Sequence, residues 1–454
     1  MSTIVAISTP AGVGGIAVLR LSGPDSYRIA TQHMRLKPCE GNRPFSSYAI
    51  FRNGQAVIDE VMTTCYHAPH SYTGEEMVEI SCHGSAYVQQ TILQSLIDSG
   101  ATLAEPGEFT RRAFLNGKLD LSQAEAVADL IDSTNAGNHQ LAISQLRGGY
   151  AKQLTELREQ FVELASLLEL ELDFSEEDVE FADRSQLTTL LDKVEDIARR
   201  LLESFSLGNA IKNGVPVAIV GRPNVGKSTL LNTLVGEDRA IVSDVAGTTR
   251  DTIEDTLTLG GITFRFIDTA GIRHSNDTIE SLGIERSYRA IEKAQVVLYL
   301  TDVDHYATIS QELAELKEKV SLSGKRLIVL LNKIDATEVA LSVKPIETDE
   351  PAERVLAISA KKGTGIDQLR ELLAAPYATP ATGQPILSNL RHHQALQKVL
   401  SATKLVRHGL SEGLPADLVV IDLRDALYHL GTITGHVTSE EILGSIFHRF
   451  CIGK

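Results

Sequence analysis

Gly221-Arg222-Pro223-Asn224-Val225-Gly226-Lys227-Ser228 reads as GxxxxGK[ST]. It follows the apolar run Val215–Val220, a strand pattern, and precedes Thr229–Val235, whose spacing predicts a helix. Strand, glycine-rich loop and helix in that order form the context in which this motif cradles phosphates. The glycines let backbone N–H groups curl round an anion, and the helix N-terminus adds favourable partial charge. Lys227 is placed to reach β- and γ-phosphate oxygens, and Ser228 to offer its hydroxyl to Mg²⁺. Asn224, Val225, Gly226 and Thr229 complete the phosphate-binding turn. Strands then alternate with helices to about residue 376, which predicts a doubly wound, mostly parallel sheet with its ligand at the carboxyl ends of the strands.

Four further motifs follow in order. Thr248-Thr249 supplies a candidate second hydroxyl for Mg²⁺, Thr249. Asp268-Thr269-Ala270-Gly271 follows the strand pattern Ile262–Ile267. Asp268 can hold the metal through a water, and the Gly271 N–H can sense a γ-phosphate. Asn332-Lys333-Ile334-Asp335 follows Leu327–Leu331. A carboxylate at Asp335 can accept both N1–H and N2–H of guanine, a donor pair adenine lacks, so the motif selects GTP over ATP. Ser359-Ala360-Lys361 follows another strand and can direct a backbone N–H to guanine O6. Ile272 stands where Ras-like enzymes carry the Gln that orients the attacking water. Another group must do that work. Arg250, Arg273, His274 and Glu280 are all near in sequence, and spacing does not choose among them. Arg250 suits a cis arginine finger and equally a local salt bridge.

Outward from this unit, 454 residues suggest about three domains. Residues 1–118 read as mixed α/β, with strand patterns at Ile4–Ile7, Ile16–Leu21 and Met77–Cys82 and a helix near Ala86–Asp98. From Leu121 the spacing is helical, and Ser122 with Glu125 fits a capping box. Residues 150–172 and 185–207 continue as amphipathic helices. After a Pro/Thr/Gly linker, helices resume over 388–411 and 416–430, and a last one is capped by Thr438 with Glu441. Helices on both sides of one α/β unit predict an inserted domain, which chain ends lying close together make tolerable.

The formal charge is −16, which argues against a basic nucleic-acid coat. Residues 151–210 alone hold six basic and fifteen acidic side chains, whereas 377–454 is close to neutral and holds six of the 13 histidines. An RNA contact is therefore expected to be local and to avoid the 151–210 face. Four cysteines without a tight framework suggest reduced thiols. Cys65/His67 and Cys82/His83 match none of the usual zinc spacings. The N-terminus lacks a basic n-region, and no run approaches the ~20 apolar residues of a membrane span. A cytoplasmic protein is expected.

Three segments carry a resemblance beyond the nucleotide motifs. They are Ala246-Gly247-Thr248-Thr249-Arg250-Asp251, Gly107-Glu108-Phe109-Thr110-Arg111-Arg112-Ala113-Phe114-Leu115-Asn116-Gly117-Lys118-Leu119-Asp120, and the terminal Cys451-Ile452-Gly453-Lys454. With them the whole chain resembles the MnmE (TrmE) family of bacterial tRNA-modification GTPases.

The resemblance implies an α+β folate-binding and dimerisation domain at 1–118 and a helical bundle built from two segments, 119–210 and 377–454. The GTPase domain, 211–376, is inserted between those segments. It implies a homodimer that joins the FAD-dependent partner MnmG in a heterotetramer. The complex places an aminomethyl or carboxymethylaminomethyl group on C5 of the wobble uridine of certain tRNAs. The carbon comes from a 5-formyl-tetrahydrofolate-type carrier. K⁺ and GTPase-domain dimerisation activate hydrolysis. Residue by residue, Asn224 and the carbonyls of Ser243, Val245 and Thr248 match the K⁺ ligands. Glu280 matches the water-positioning acid. Arg20, Glu79, Lys118 and Lys454 match the folate contacts. Cys451 matches the family's terminal motif, with an orienting role weighed above a nucleophilic one.

Two competing readings share features with this one. A ribosome-assembly or signalling GTPase has the same five motifs, but adds an RNA-binding module such as a KH domain, of which the sequence shows none. A folate enzyme with a regulatory GTPase insert is the other.

Overall fold

The computed structural model describes residues 2–36, 43–173, 184–236, 255–267, 288–322, 324–336, 354–377, 385–448 and 450–453. These form two compact units: Met1–Asp132, Ala142–Leu202 and Arg391–Lys454 in one, Ser133–Leu141 and Glu203–Leu390 in the other.

The first unit opens with a six-stranded sheet: β1 (Ile4–Ile7), β2 (Gly14–Ser22), β3 (Phe45–Asn53), β4 (Ala56–Tyr66), β5 (Met77–Gly84) and β6 (Thr102–Leu103), in the order β3-β4-β5-β2-β1-β6. All pairs are antiparallel except β1 with β6. Successive side chains alternate between faces. Val5, Leu19, Leu21, Val78 and Ile80 therefore meet Ile92 and Leu96 of helix Ala86–Asp98 in one core. Ile4 and Ala6 turn the other way and pack with Ala104, Phe109 and Tyr72. Arg20 and Glu79 are direct register partners across β2 and β5.

The helices of this unit come from both flanks of the inserted segment. Buried Leu154, Leu157, Phe161, Leu164 and Leu168 give helix Ala151–Asp173 one apolar stripe. That helix packs along Ala416–Thr434, and Arg424 pairs with Glu169 at 2.7 Å between them. Arg407 of helix Leu390–Ser411 pairs with Asp192 and Glu195 of helix Arg184–Asn213.

Two expected caps are corrected. Helix Leu121–Ile131 is capped by Asp120, whose carboxylate accepts from the Gln123 N–H while Gln123 Oε1 accepts from the Asp120 N–H. Ser122 donates to Asp120 instead, at 2.7 Å, because the extended backbone at Asp120 puts the N-cap two residues earlier. The last helix, Glu440–Phe447, is capped by Ser439, which accepts from the Ile442 N–H, and not by Thr438.

Glu125, freed from capping, is buried in a polar cluster. It takes two 3.0 Å hydrogen bonds from Arg391 and lies 2.8 Å from His392 Nε2. His392 Nδ1 is 2.5 Å from the Tyr150 hydroxyl, and Arg391 also donates to the Thr432 carbonyl. Glu125, Tyr150, Arg391-His392 and Thr432 thus bring four segments of the bundle into one cluster.

The chain ends by crossing the first sheet's edge. Ile452 bridges Pro106, and Ser8 Oγ donates to the Gly453 carbonyl at 3.0 Å. Gly453 has φ +99°, and a Cβ there would stand 2.3 Å from the Ile7 carbonyl oxygen, so no other residue lies so close to β1 unstrained.

The second unit is the P-loop sheet: β7 (Val215–Gly221), β8 (Asp255–Leu259), β9 (Ile262–Phe266), β10 (Val296–Asp302), β11 (Arg326–Asn332) and β12 (Arg354–Ala357). Its order is β12-β11-β10-β7-β9-β8, parallel throughout except for β8 against β9. Every residue of β10 is buried. Val296, Leu298 and Leu300 face one core, and Val297 and Tyr299 the other. A near-continuous apolar strand is what two covered faces require.

Candidate functional site

The phosphate loop leaves β7 at Gly221 and enters helix Lys227–Val235 through Gly226, at φ +100°. A Cβ at Gly226 would lie 2.4 Å from Asn332 Nδ2, so only glycine leaves this cradle open. Asn224 also holds a left-handed conformation, φ +61°, which Asn tolerates better than most residues. The Lys227 ammonium donates to the carbonyls of Gly221 and Arg222, each at 2.7 Å. Burial lowers its pKa. A half-buried cation held by carbonyl dipoles is an electrostatic socket for phosphate oxygens. Ser228 and Thr229 open the helix behind it.

Asn332 ties the loop to the turns that follow β11 and β12. Its Nδ2 donates to the Val225 carbonyl at 2.8 Å, and its Oδ1 accepts from the Ala360 N–H at 2.9 Å. Both bonds are buried, so truncation strands two backbone groups. Thr233 adds a bond to the Ala360 carbonyl at 2.8 Å. Asp335 is exposed and accepts from Ser359 Oγ at 2.7 Å. That hydrogen bond, backed by Lys362 and Lys361, holds its carboxyl below the usual range. Asn224–Thr229, Asn332, Lys333, Asp335 and Ser359–Lys361 thus stand together at the carboxyl ends of β7, β11 and β12.

Sequence reading missed two supporting acids. Asp302, the last residue of β10, sits 2.6 Å from His305 Nδ1 and 3.1 Å from Lys333 Nζ. Glu312 receives Arg222 at 2.7 Å and the Tyr299 hydroxyl at 2.6 Å. The polar end of an otherwise apolar strand, Thr301-Asp302, was the available signal for the first.

Ser243, Val245, Thr248, Thr249, Arg250, Asp268, Thr269, Ala270, Gly271, Ile272, Arg273, His274, Glu280 and Lys454 lie outside the described residues. Among described residues, Ser228 alone carries the Mg²⁺ assignment and Asn224 alone the K⁺ assignment, and the water-positioning acid lies outside them.

In the first unit, Arg20 and Glu79 form one ion pair at 2.8 Å. The Arg20 guanidinium lies 5.1 Å above the Tyr72 ring centroid and 5.6 Å above that of Phe109. Tyr66 donates to Glu79 at 3.2 Å. The neighbouring acids are engaged elsewhere, Glu75 with Arg112 and Ser22, Glu76 with His67. Lys118 donates to the Pro69 carbonyl at 3.0 Å, in the loop that also carries Tyr72. Cys451 is exposed beside the edge that Ile452 and Gly453 hold.

A "GTP-binding protein TrmE N-terminus" family model matches residues 3–118, and an "MnmE helical domain" model matches residues 121–451. The tRNA modification GTPase MnmE of Parabacteroides distasonis is 50% identical to the chain, covering all of both. That of Flavobacterium psychrophilum is 49% identical, covering all of this chain and 99% of that relative. The Bacteroides thetaiotaomicron protein of the same name is 48% identical over the same spans. With a family model matched over 121–451 and relatives about half identical along the full length, the chain belongs to the MnmE family of tRNA modification GTPases.

Proposed function

We propose that the protein hydrolyses GTP in the service of tRNA wobble-uridine modification. The observation that carries this reading is the Asp335 carboxylate, fixed by Ser359 in front of a phosphate cradle that Asn332 locks in place. Guanine offers N1–H and N2–H to it, the triphosphate meets Lys227, and Ser228 with Thr249 holds the Mg²⁺ that neutralises phosphate charge. Lys227, already partly desolvated, gains most as negative charge builds on the β/γ bridge. Glu280 orients the attacking water, in the place the missing Gln would take. Asn224, with the carbonyls of Ser243, Val245 and Thr248, offers oxygen ligands to K⁺, which adds positive charge there. GTP turnover in KCl against NaCl tests the cation: equal rates refute it.

Arg20, Glu79, Lys118 and Lys454 are proposed to hold a tetrahydrofolate-type carrier, which supplies the one-carbon unit. The paired Arg20 and Glu79 act together, presenting an acceptor and donors on one face of the sheet. A homodimer working with the FAD-dependent MnmG protein would bring cofactor and tRNA together. Deleting the gene and digesting bulk tRNA tests the reading: the modified wobble uridine should vanish by mass spectrometry, and unchanged tRNA sinks it.

Gly453→Ala should separate the two activities. Its Cβ meets the Ile7 carbonyl, so the tail must leave β1. Wobble-uridine product is expected to fall at least tenfold in a reconstituted assay, with GTP turnover retained. Full product formation would show that the docked tail is dispensable.

A further inference from the structure

Asp302 has no place in any of the five nucleotide motifs, yet it is buried among their residues. Its side chain is 8% exposed, and its two oxygens meet His305 and Lys333. His305 Nδ1 approaches Oδ1 at 2.6 Å, and Lys333 Nζ donates to Oδ2 at 3.1 Å. The backbone makes this pairing specific. Asp302 and Asn332 are register partners at the ends of β10 and β11, so Lys333 is the first residue past the sheet. Lys333 has φ +65°, which an ordinary side-chain-bearing residue adopts at a cost. That turn throws its stem sideways toward the neighbouring strand, where Asp302 receives the ammonium. The two residues flanking it in function, Asn332 and Asp335, are fixed by bonds of their own.

We propose that Asp302 is a positioning residue for nucleotide binding, clamping Lys333 so that its four-carbon stem forms a ready platform for the face of the base. This rests on the reading of the 332–335 turn as the guanine site. A free lysine has many rotamers, and ordering one on binding costs affinity. The clamp incurs that cost in the apoprotein. Its contribution is blind to the edge of the base: Asp335 reads hydrogen bonds, whereas Asp302 acts through a stem that packs on any purine. His305 steadies the carboxylate from its other oxygen, and its loss should have a smaller effect in the same direction.

The test is a double-mutant cycle on the full-length protein, with binding of a fluorescent GDP analogue in Mg²⁺ as the readout. Asp302→Ala is expected to weaken binding roughly tenfold, mainly through faster release. In a Lys333→Ala background the same change should do nothing further. In an Asp335→Asn background, with the xanthosine diphosphate analogue as probe, Asp302→Ala should again cost roughly tenfold. Asp302→Asn keeps the shape and loses the charge, and carries the same comparison if the alanine variant does not fold. Unchanged binding in the Asp302 variants overturns the proposal. So does an equal loss with and without Lys333, which marks a general defect at the end of β10. If the wild-type protein binds no guanine nucleotide, the reading of the turn itself fails, and that is a different result.

Discussion

Asp335→Asn is expected to weaken GTP binding by two to three orders of magnitude and to admit xanthosine triphosphate in its place. Two charge-assisted hydrogen bonds run from guanine N1–H and N2–H to one carboxylate. Each contributes about 1.5–3 kcal/mol, and a tenfold change takes about 1.4 kcal/mol. An asparagine has one acceptor oxygen and one donor NH₂ in that position. It satisfies one guanine donor and sets its own donor against the other. Xanthine carries a carbonyl where guanine has its amino group, so the asparagine NH₂ finds an acceptor there. Competition of both triphosphates against a fluorescent guanine nucleotide measures the exchange. A variant that still prefers GTP would remove Asp335 from the base site. A variant that binds xanthosine triphosphate is folded, so the loss of GTP cannot be ascribed to collapse. Ser359 should report on the same contact more weakly: Ser359→Ala removes a 2.7 Å bond to a carboxylate that remains exposed and charged.

The parts of the molecule visible in sequence are those whose geometry is local. Gly221–Ser228 sits within one turn, so its spacing alone implies strand, loop and helix, and β7 and helix Lys227–Val235 follow it. Helix Ala86–Asp98 was legible for the same reason. The β3–β4 hairpin is missed, although Gly54-Gln55, with Gly54 at φ +59°, is the two-residue turn that joins its strands. Contacts between distant segments left no signal. Arg20 and Glu79 are 59 residues apart and become partners only through the β2–β5 register. Ser122 and Glu125 stand at capping-box spacing, which suggests a local pair. Asp120 and Gln123 took that role, because a cap is decided by which residue is extended at the helix start. Glu125 answers instead to Arg391, 266 positions away.

That distant pairing makes Glu125→Ala the substitution with the largest expected cost in stability. The carboxylate is 9% exposed and His392 is fully buried. Burial alone would push the Glu125 carboxyl up, but the charges of His392 and Arg391 outweigh it and pull it down to about 2. Removing one member of a buried ion pair costs about 3–5 kcal/mol, because the remaining charges keep their burial and lose their partner. Arg391 and His392 would be left in that state, at the start of helix Leu390–Ser411. Tyr150→Phe, which removes only the hydroxyl on His392 Nδ1, should cost about 1–2 kcal/mol. The sign with pH follows from the depressed value. A carboxyl that titrates near 2 folded and near 4.5 unfolded stabilises the fold fully above the unfolded value. It loses that contribution as pH falls from about 4.5 to about 2, a total on the order of 3 kcal/mol. Glu125→Gln removes the titration, so urea unfolding followed by far-UV circular dichroism should show the two proteins converging across this acid window and separated above it. A constant difference from pH 7 to pH 2 would mean that Glu125 contributes by shape and not by charge. GTP turnover provides the control. The phosphate loop belongs to the other compact unit, so a variant that hydrolyses GTP at the wild-type rate while its bundle unfolds early would locate the loss in the Glu125 cluster.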